Sequence, residues 1–180
     1  MLVTNKELLD AAKAGRYAVG AFNINNMEFV QAITDAAGQL GSPAILAVSQ
    51  GAITYAGFEN LVSLVRSAAE VKGVTISLHL DHGQDMAVIE RCINDGFTSV
   101  MIDGSHLPFE ENVAVTRSVV EKARPKGVSV EGELGRLAGI EDNISVDEQE
   151  ARFTDPDEAA RFVEETGVDS LAVAVGTSHG

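Results

Sequence analysis

A chain of 180 residues that is 45% hydrophobic can bury a sizeable core as one domain. Its 27 acidic residues against 13 basic ones give a formal charge of −14, which repels nucleic acid and anionic membranes and removes both from the expected partners. No stretch reaches transmembrane length, residues 1–7 show no basic region leading into an apolar run, and the single cysteine, Cys92, sits among apolar helical positions, so the chain reads as a cytoplasmic protein with one buried free thiol.

Thr4 and Glu7 have capping-box spacing ahead of a short helix ending near Gly15. Residues 17–23 read as a strand, and 27–40 as a helix whose Phe29, Val30, Ile33, Ala37 and Leu40 form an apolar stripe stopped by Gly41. The pattern then repeats, with strands over 43–48, 74–80, 97–102 and 128–133 and helices over 58–71, 85–94 and 109–123. A longer polar connection occupies 135–154, Asp155 and Pro156 open another helix, and 170–175 is the sixth strand. The strands are continuous apolar runs joined by helices, so the sheet is expected to be parallel and covered on its outer face.

Two parallel architectures remain, an open doubly wound sheet and a closed (β/α)8 barrel of the TIM type. Asn23, Ser49, Asp81 with His82, Asp103, Glu133 and His179 place a polar residue at or just after the carboxyl end of each of the six strands. A barrel gathers its ligands from many strands at one mouth, whereas an open sheet gathers them at one switch point. No glycine-rich dinucleotide fingerprint follows the first strand either, so the barrel is preferred. A (β/α)8 barrel takes about 250 residues. The expected domain is therefore one barrel, with residues 1–180 supplying strands one to six and strands seven and eight absent from the sequence.

The richest segment is Ile76-Ser77-Leu78-His79-Leu80-Asp81-His82-Gly83, an apolar strand that stops in a carboxylate and two imidazoles. A second strand end runs into His179. Imidazoles from two strand ends at one mouth are the beginnings of a zinc site, and His82 and His179 are expected to converge there. Asp103 and Glu133 read equally as further metal ligands or as solvated strand ends. Asp81, adjacent to a candidate ligand, can handle a proton at the substrate atoms that a metal polarises, provided the chain turns at Gly83 so that Asp81 and His82 share the mouth. His79 shares the strand face of Asp81 and reads either as a residue standing behind the metal ligands, the preferred reading, or as a packed core histidine, while His106 reads as a surface residue. Glu131 lies on the same strand face as Glu133, where burial is costly without a metal ion or hydrogen bonds. In the polar connection, Glu141 and Asp142 follow Gly139, and an acid carried over the mouth is a second candidate proton carrier.

At these residues the sequence resembles the zinc-dependent class II aldolases, which include the fructose-1,6-bisphosphate and tagatose-bisphosphate aldolases. The motifs are Val19-Gly20-Ala21-Phe22-Asn23, Leu80-Asp81-His82-Gly83, Ser99-Val100-Met101-Ile102-Asp103, Val130-Glu131-Gly132-Glu133-Leu134-Gly135 and Val175-Gly176-Thr177-Ser178-His179-Gly180, in the family's order along the whole chain. The resemblance implies that His82 and His179 bind a catalytic zinc and that Asp81 is the proton donor. It implies that Asp103 and Glu133 hold a second or displaced divalent ion, that Glu141 moves the proton at the dihydroxyacetone-phosphate carbon, and that a monovalent cation can take part. Asn23, Ser49 and the Gly180 backbone would contact substrate, with Ser49 on the aldehyde-phosphate side. The implied reaction is reversible cleavage of fructose 1,6-bisphosphate into dihydroxyacetone phosphate and glyceraldehyde 3-phosphate, in a homodimer or homotetramer. The family's third zinc histidine and glycine-rich phosphate loop have no counterpart within residues 1–180.

The lysines agree with metal rather than Schiff-base chemistry, because Lys6, Lys13, Lys72, Lys122 and Lys126 all fall on helices or their ends. Two other readings compete. An amidohydrolase-type barrel favours a His-x-His pair on an early strand, which is missing here, and a catalytically inactive six-strand fragment would fold only through partners.

Overall fold

The strands and helices follow the order expected from the pattern, with two additions inside the connections. The computed structural model describes residues 1–137, 139–141, 144–146 and 152–176. Helix α1 (Asn5–Gly15) begins at a complete capping box, in which the Thr4 side chain accepts from the Glu7 N–H and the Glu7 carboxylate accepts from the Thr4 N–H. Then come β1 (Gly20–Asn23), α2 (Met27–Leu40), β2 (Ala44–Ser49), α3 (Gln50–Ala56), α4 (Phe58–Lys72), β3 (Ile76–Gly83), α5 (Met86–Asn94), β4 (Ser99–Ile102) and α6 (Phe109–Ala123). After a short 3-10 turn come β5 (Ser129–Leu134), the hairpin strands β6 (Gly139–Glu141) and β7 (Ile144–Val146), α7 (Pro156–Thr166) and β8 (Ser170–Val173).

The main sheet runs β1-β2-β3-β4-β5-β8, with every neighbouring pair parallel. Sequential order with no reversal excludes the doubly wound alternative and gives the curled wall of a barrel. β1 starts later than the apolar run suggests, because Arg16 takes a left-handed conformation at φ 56° and the Tyr17 N–H still caps α1 at Ala12. Nothing in the apolar pattern marks α3, whose start is instead fixed by the Ser49 hydroxyl accepting from the Ala52 N–H at 3.1 Å. The polar connection after β5 contains the antiparallel β6–β7 hairpin rather than irregular chain alone.

Side-chain alternation sorts the strands into two faces. Toward the helices, Leu46, Val48, Ile76, Leu78, Leu80 and Val100 are wholly buried against Leu61 and Val65 of α4, Ile89 and Cys92 of α5 and Val119 of α6. Each such Leu or Ile stabilises the fold by about 1.5–3 kcal/mol relative to exposure. Cys92 is free and buried as expected. Toward the barrel axis the register aligns His79, Ser99 and Ser129 across β3, β4 and β5. Asn5, at the start of α1, closes this layer from below: its N–H donates to Ser129 Oγ at 3.1 Å, its Nδ2 lies 3.2 Å from His79 Nδ1, and its Oδ1 accepts from Ser77. No helix among the described residues is long and apolar enough to cross a membrane.

Candidate metal centre and active site

Strand β3 delivers its polar end through an irregularity. Leu80 pairs with Val100 and Gly83 with Ile102, so β3 spends one residue more than β4 over this interval, a bulge. The sequence reading places the turn at Gly83. In the structure His82 itself adopts the left-handed conformation, at φ 45°, a strain of about 1–2 kcal/mol for a residue with a Cβ. Gly83 is needed for a different reason, since a Cβ there would lie 2.4 Å from the Met101 carbonyl oxygen. The kink brings Asp81 and His82 to the same mouth. Asp81 stays in register with Ser49 and accepts from Asn23 Nδ2 at 2.9 Å, while His82 swings toward β4 and β5.

There His82 Nδ1 lies 3.3 Å from Asp103 Oδ2 and 3.4 Å from Glu133 Oε2. Both carboxylates are buried, at 4% and 8% exposure, where an ionised group persists only with strong partners. Asp103 has several. Its Oδ1 accepts from the Ser105 N–H at 3.1 Å and hydroxyl at 2.7 Å, and its Oδ2 accepts from Gln84 Nε2 at 3.2 Å. Gln84 is held in turn by Gln50, whose Oε1 accepts from the N–H groups of Gln84 at 2.8 Å and Asp85 at 3.2 Å. Glu133 is fixed through its backbone, its carbonyl accepting from Asn112 Nδ2 on α6 at 2.9 Å.

Burial opposes charge on His82, but hydrogen bonds to Asp103 and Glu133 and the fields of Asp81 and Glu133 outweigh it and push the imidazole up to about 11. Burial likewise opposes charge on Asp103, and the bonds from His82 and Ser105 overcome it and hold that carboxyl well below the usual carboxylate range. A proton on His82 therefore neutralises part of two buried negative charges. The ligand atoms of His82, Asp103 and Glu133 all lie within 4.8 Å of one another. One imidazole and two carboxylates carry a formal charge of −2 once that proton leaves, a donor set that fits a divalent cation.

Asn23, Ser49, Asp81, His82, Asp103 and Glu133 thus stand at the carboxyl ends of five successive parallel strands. Ser49 already spends an acceptor on the α3 N-cap. Glu141 ends the first strand of the hairpin. His179 and Gly180, and with them the expected approach of His179 to His82, lie outside the described residues, as does Asp142. Of the two readings of His79, the structure shows the packed one. Standing three residues before His82, it sits in the layer below, with its Nδ1 bonded to Asn5 and, at 2.9 Å, to Ser99. Its Nε2 faces Glu131 at 3.8 Å, and Glu131 accepts from the Ser170 hydroxyl at 3.1 Å. His106 is exposed, as expected. All five lysines fall on helices or the short turn after α6. Sequence reading misses Gln50, Gln84, Ser105 and Asn112; of these only Ser105 carries a local signal, the Asp-x-Ser spacing of an Asx turn.

Residues 3–180 match the family model described as fructose-bisphosphate aldolase class-II. The chain is 54% identical over 180 residues to a fructose-bisphosphate aldolase of Thermus caldophilus, covering all of this chain and 59% of that protein. It is 48% identical over 179 residues to the D-tagatose-1,6-bisphosphate aldolase subunit GatY of Klebsiella oxytoca, covering 99% of this chain and 63% of the relative. Among solved structures, the YdjI aldolase from Escherichia coli K12 superposes with a TM-score of 0.88 at 36% identity over 99% of this chain and 64% of that one. The fructose-bisphosphate aldolase of Campylobacter jejuni gives 0.82 at 26% identity over 99% and 59%. The chain thus spans about six-tenths of the length of these relatives. With six parallel strands in barrel order and a His-Asp-Glu cluster at their carboxyl ends, the chain belongs to the class II fructose-bisphosphate aldolase family.

Proposed function

We propose that this chain supplies the first six βα units of a single metal-dependent aldolase barrel that reversibly cleaves fructose 1,6-bisphosphate to dihydroxyacetone phosphate and glyceraldehyde 3-phosphate. The observation that carries the reading is His82 Nδ1 lying 3.3 Å from Asp103 and 3.4 Å from Glu133, beside an Asp81 that Asn23 holds at 2.9 Å. His82, with His179, would hold a zinc ion, and Asp103 and Glu133 would hold the same ion displaced or a second divalent one. Bound zinc supplies a Lewis acid that polarises the ketone and lowers the cost of the negative charge that develops as the carbon bond breaks.

The chain's own residues do the rest. Asp81, aimed by the Asn23 amide, moves the proton at the substrate oxygen that becomes the aldehyde, and Glu141 moves the proton at the dihydroxyacetone-phosphate carbon. Asn23 and Ser49 line the substrate path, with Ser49 on the aldehyde-phosphate side, and the Gly180 backbone binds dihydroxyacetone phosphate. A bisphosphate entering a chain of charge −14 needs local compensation, which backbone N–H groups in loops beyond strand six would provide. A homodimer or homotetramer in the cytoplasm completes the reading.

The alternative substrate is tagatose 1,6-bisphosphate, a reading supported by the 48% identity to GatY. The deciding experiment is a coupled cleavage assay of the complete barrel with each sugar, before and after chelation and zinc re-addition. Cleavage that chelation abolishes and zinc restores is expected. Chelator-resistant cleavage trapped by borohydride would overturn the metal reading, and the ratio of the two kcat/KM values assigns the sugar.

A further inference from the structure

The hairpin that carries Glu141 leaves the barrel after β5 and returns before α7. Its two legs meet at Arg136 and Arg152, each donating its N–H to the other's carbonyl at 2.8 Å. Two residues beyond Arg152, Thr154 joins this neck to two strand ends. Its N–H donates to the Ala174 carbonyl at 3.0 Å, its hydroxyl oxygen accepts from the Ala174 N–H at 2.8 Å, and its hydroxyl proton goes to the Leu134 carbonyl. One side chain therefore satisfies a donor at the end of β8 and an acceptor at the end of β5.

The junction is tight. Gly135 takes φ +91°, and a Cβ there would meet Thr154 Oγ1 at 2.5 Å, Ala174 Cβ at 2.9 Å and the Arg152 carbonyl at 2.9 Å, so only glycine lets the three segments close on one another. Beneath it Leu134 packs with Val113 and the wholly buried Phe162 in an apolar cluster of its own. The floor is fixed by packing, and the neck is fixed to that floor by Thr154.

The segments joined here lead directly to the reacting groups. Leu134 follows Glu133, Arg136 precedes Glu141 by five residues, and Ala174 precedes His179 by five. We propose that Thr154 is a positioning residue, setting where the hairpin leaves the barrel and so where Glu141 meets the substrate carbon. This rests on the aldolase reading and on the role given there to Glu141.

The test uses the full-length, metal-loaded enzyme with Thr154→Val, which keeps the branched shape but loses both hydroxyl bonds, and Thr154→Ser, which keeps them. Three quantities are measured: kcat and KM for cleavage, exchange of the dihydroxyacetone-phosphate carbon proton with solvent, and amide hydrogen exchange across the neck and across β2 and β3. Thr154→Val should lower kcat and the carbon-proton exchange together by about 10²-fold, the cost of a misplacement near 1 Å, with KM little changed. Amide exchange should rise at Arg136 and Arg152 and not in β2 or β3, and Thr154→Ser should restore all three. An active wild type beside a Thr154→Val variant of unchanged kcat would overturn this inference alone, as would amide exchange raised throughout the barrel. A full-length wild type that cleaves neither sugar would overturn the aldolase reading and the inference with it.

Discussion

The two histidines of β3 stand three residues apart and live in opposite electrostatic worlds. His79, in the layer below the mouth, is surrounded chiefly by neutral donors and acceptors, Asn5 and Ser99, with Glu131 no nearer than 3.8 Å. His82 faces two buried carboxylates. Burial therefore wins at His79 and lowers its pKa despite Glu131 and Asp81, whereas at His82 the carboxylates win and raise it. The lower layer is a hydrogen-bond network that holds α1 under the barrel, and the mouth gathers two buried carboxylates around one imidazole. A histidine's protonation is decided by burial weighed against the charge of its neighbours, not by the strand it stands on.

The sharpest way to break this comparison is to remove the mouth's groups one at a time in the complete barrel. Asp81→Ala should lower cleavage by roughly 10²–10⁴-fold, the range for a positioned acid or base, with metal content near normal. His82→Ala should instead lose the metal, read by elemental analysis after dialysis. Equal metal loss in both variants would show that Asp81 is a ligand and that its bond to Asn23 serves the metal rather than a proton.

Gln84 offers a finer cut. Its amide donates to Asp103 Oδ2 at 3.2 Å, the same oxygen that faces His82. Gln84→Leu should weaken metal binding by about 10–100-fold, as loss of a bond to a ligating carboxylate does. Competition with a chelating dye measures this, and an unchanged dissociation constant would remove Gln84, and Gln50 behind it, from the site.

What sequence could and could not show divides along the same line. The helices Met27–Leu40 and Phe109–Ala123 end where the apolar stripe ends, because burial of one helix face is a local, periodic demand. The ring of polar residues at the strand ends was equally legible, since an apolar strand that stops in Asp81-His82 or Ile102-Asp103 announces a polar mouth. The bulge at His82 was not, because it depends on pairing with β4, and Gly83 looked like the natural place to turn. Nor was the bond from Gln50 to the β3–α5 turn, which joins residues 34 positions apart and leaves no local pattern. Sequence leaves two readings of His79 open because strand alternation gives its face but not its height along the barrel.

The smallest expected effect belongs to the lower layer and concerns pH. Asn5 Nδ2 can only donate, so His79 Nδ1 accepts and the neutral ring carries its proton on Nε2, toward Glu131. The charged groups facing the ring are Glu131 and Asp81, which favour its protonation, and His82, which opposes it, and burial outweighs them all. The folded pKa therefore lies below the ordinary 6.5, so as pH falls through 6.5 the unfolded chain takes up a proton that the folded chain refuses. Stability contributed by the neutral ring is complete above that value and declines below it, by at most about 1.4 kcal/mol per pH unit for one group. His79→Gln keeps an amide in the network and does not titrate. Urea unfolding at pH 7.5 and 5.5 should show a smaller acid loss in this variant than in the wild type, and equal losses would mean that another group refuses the proton.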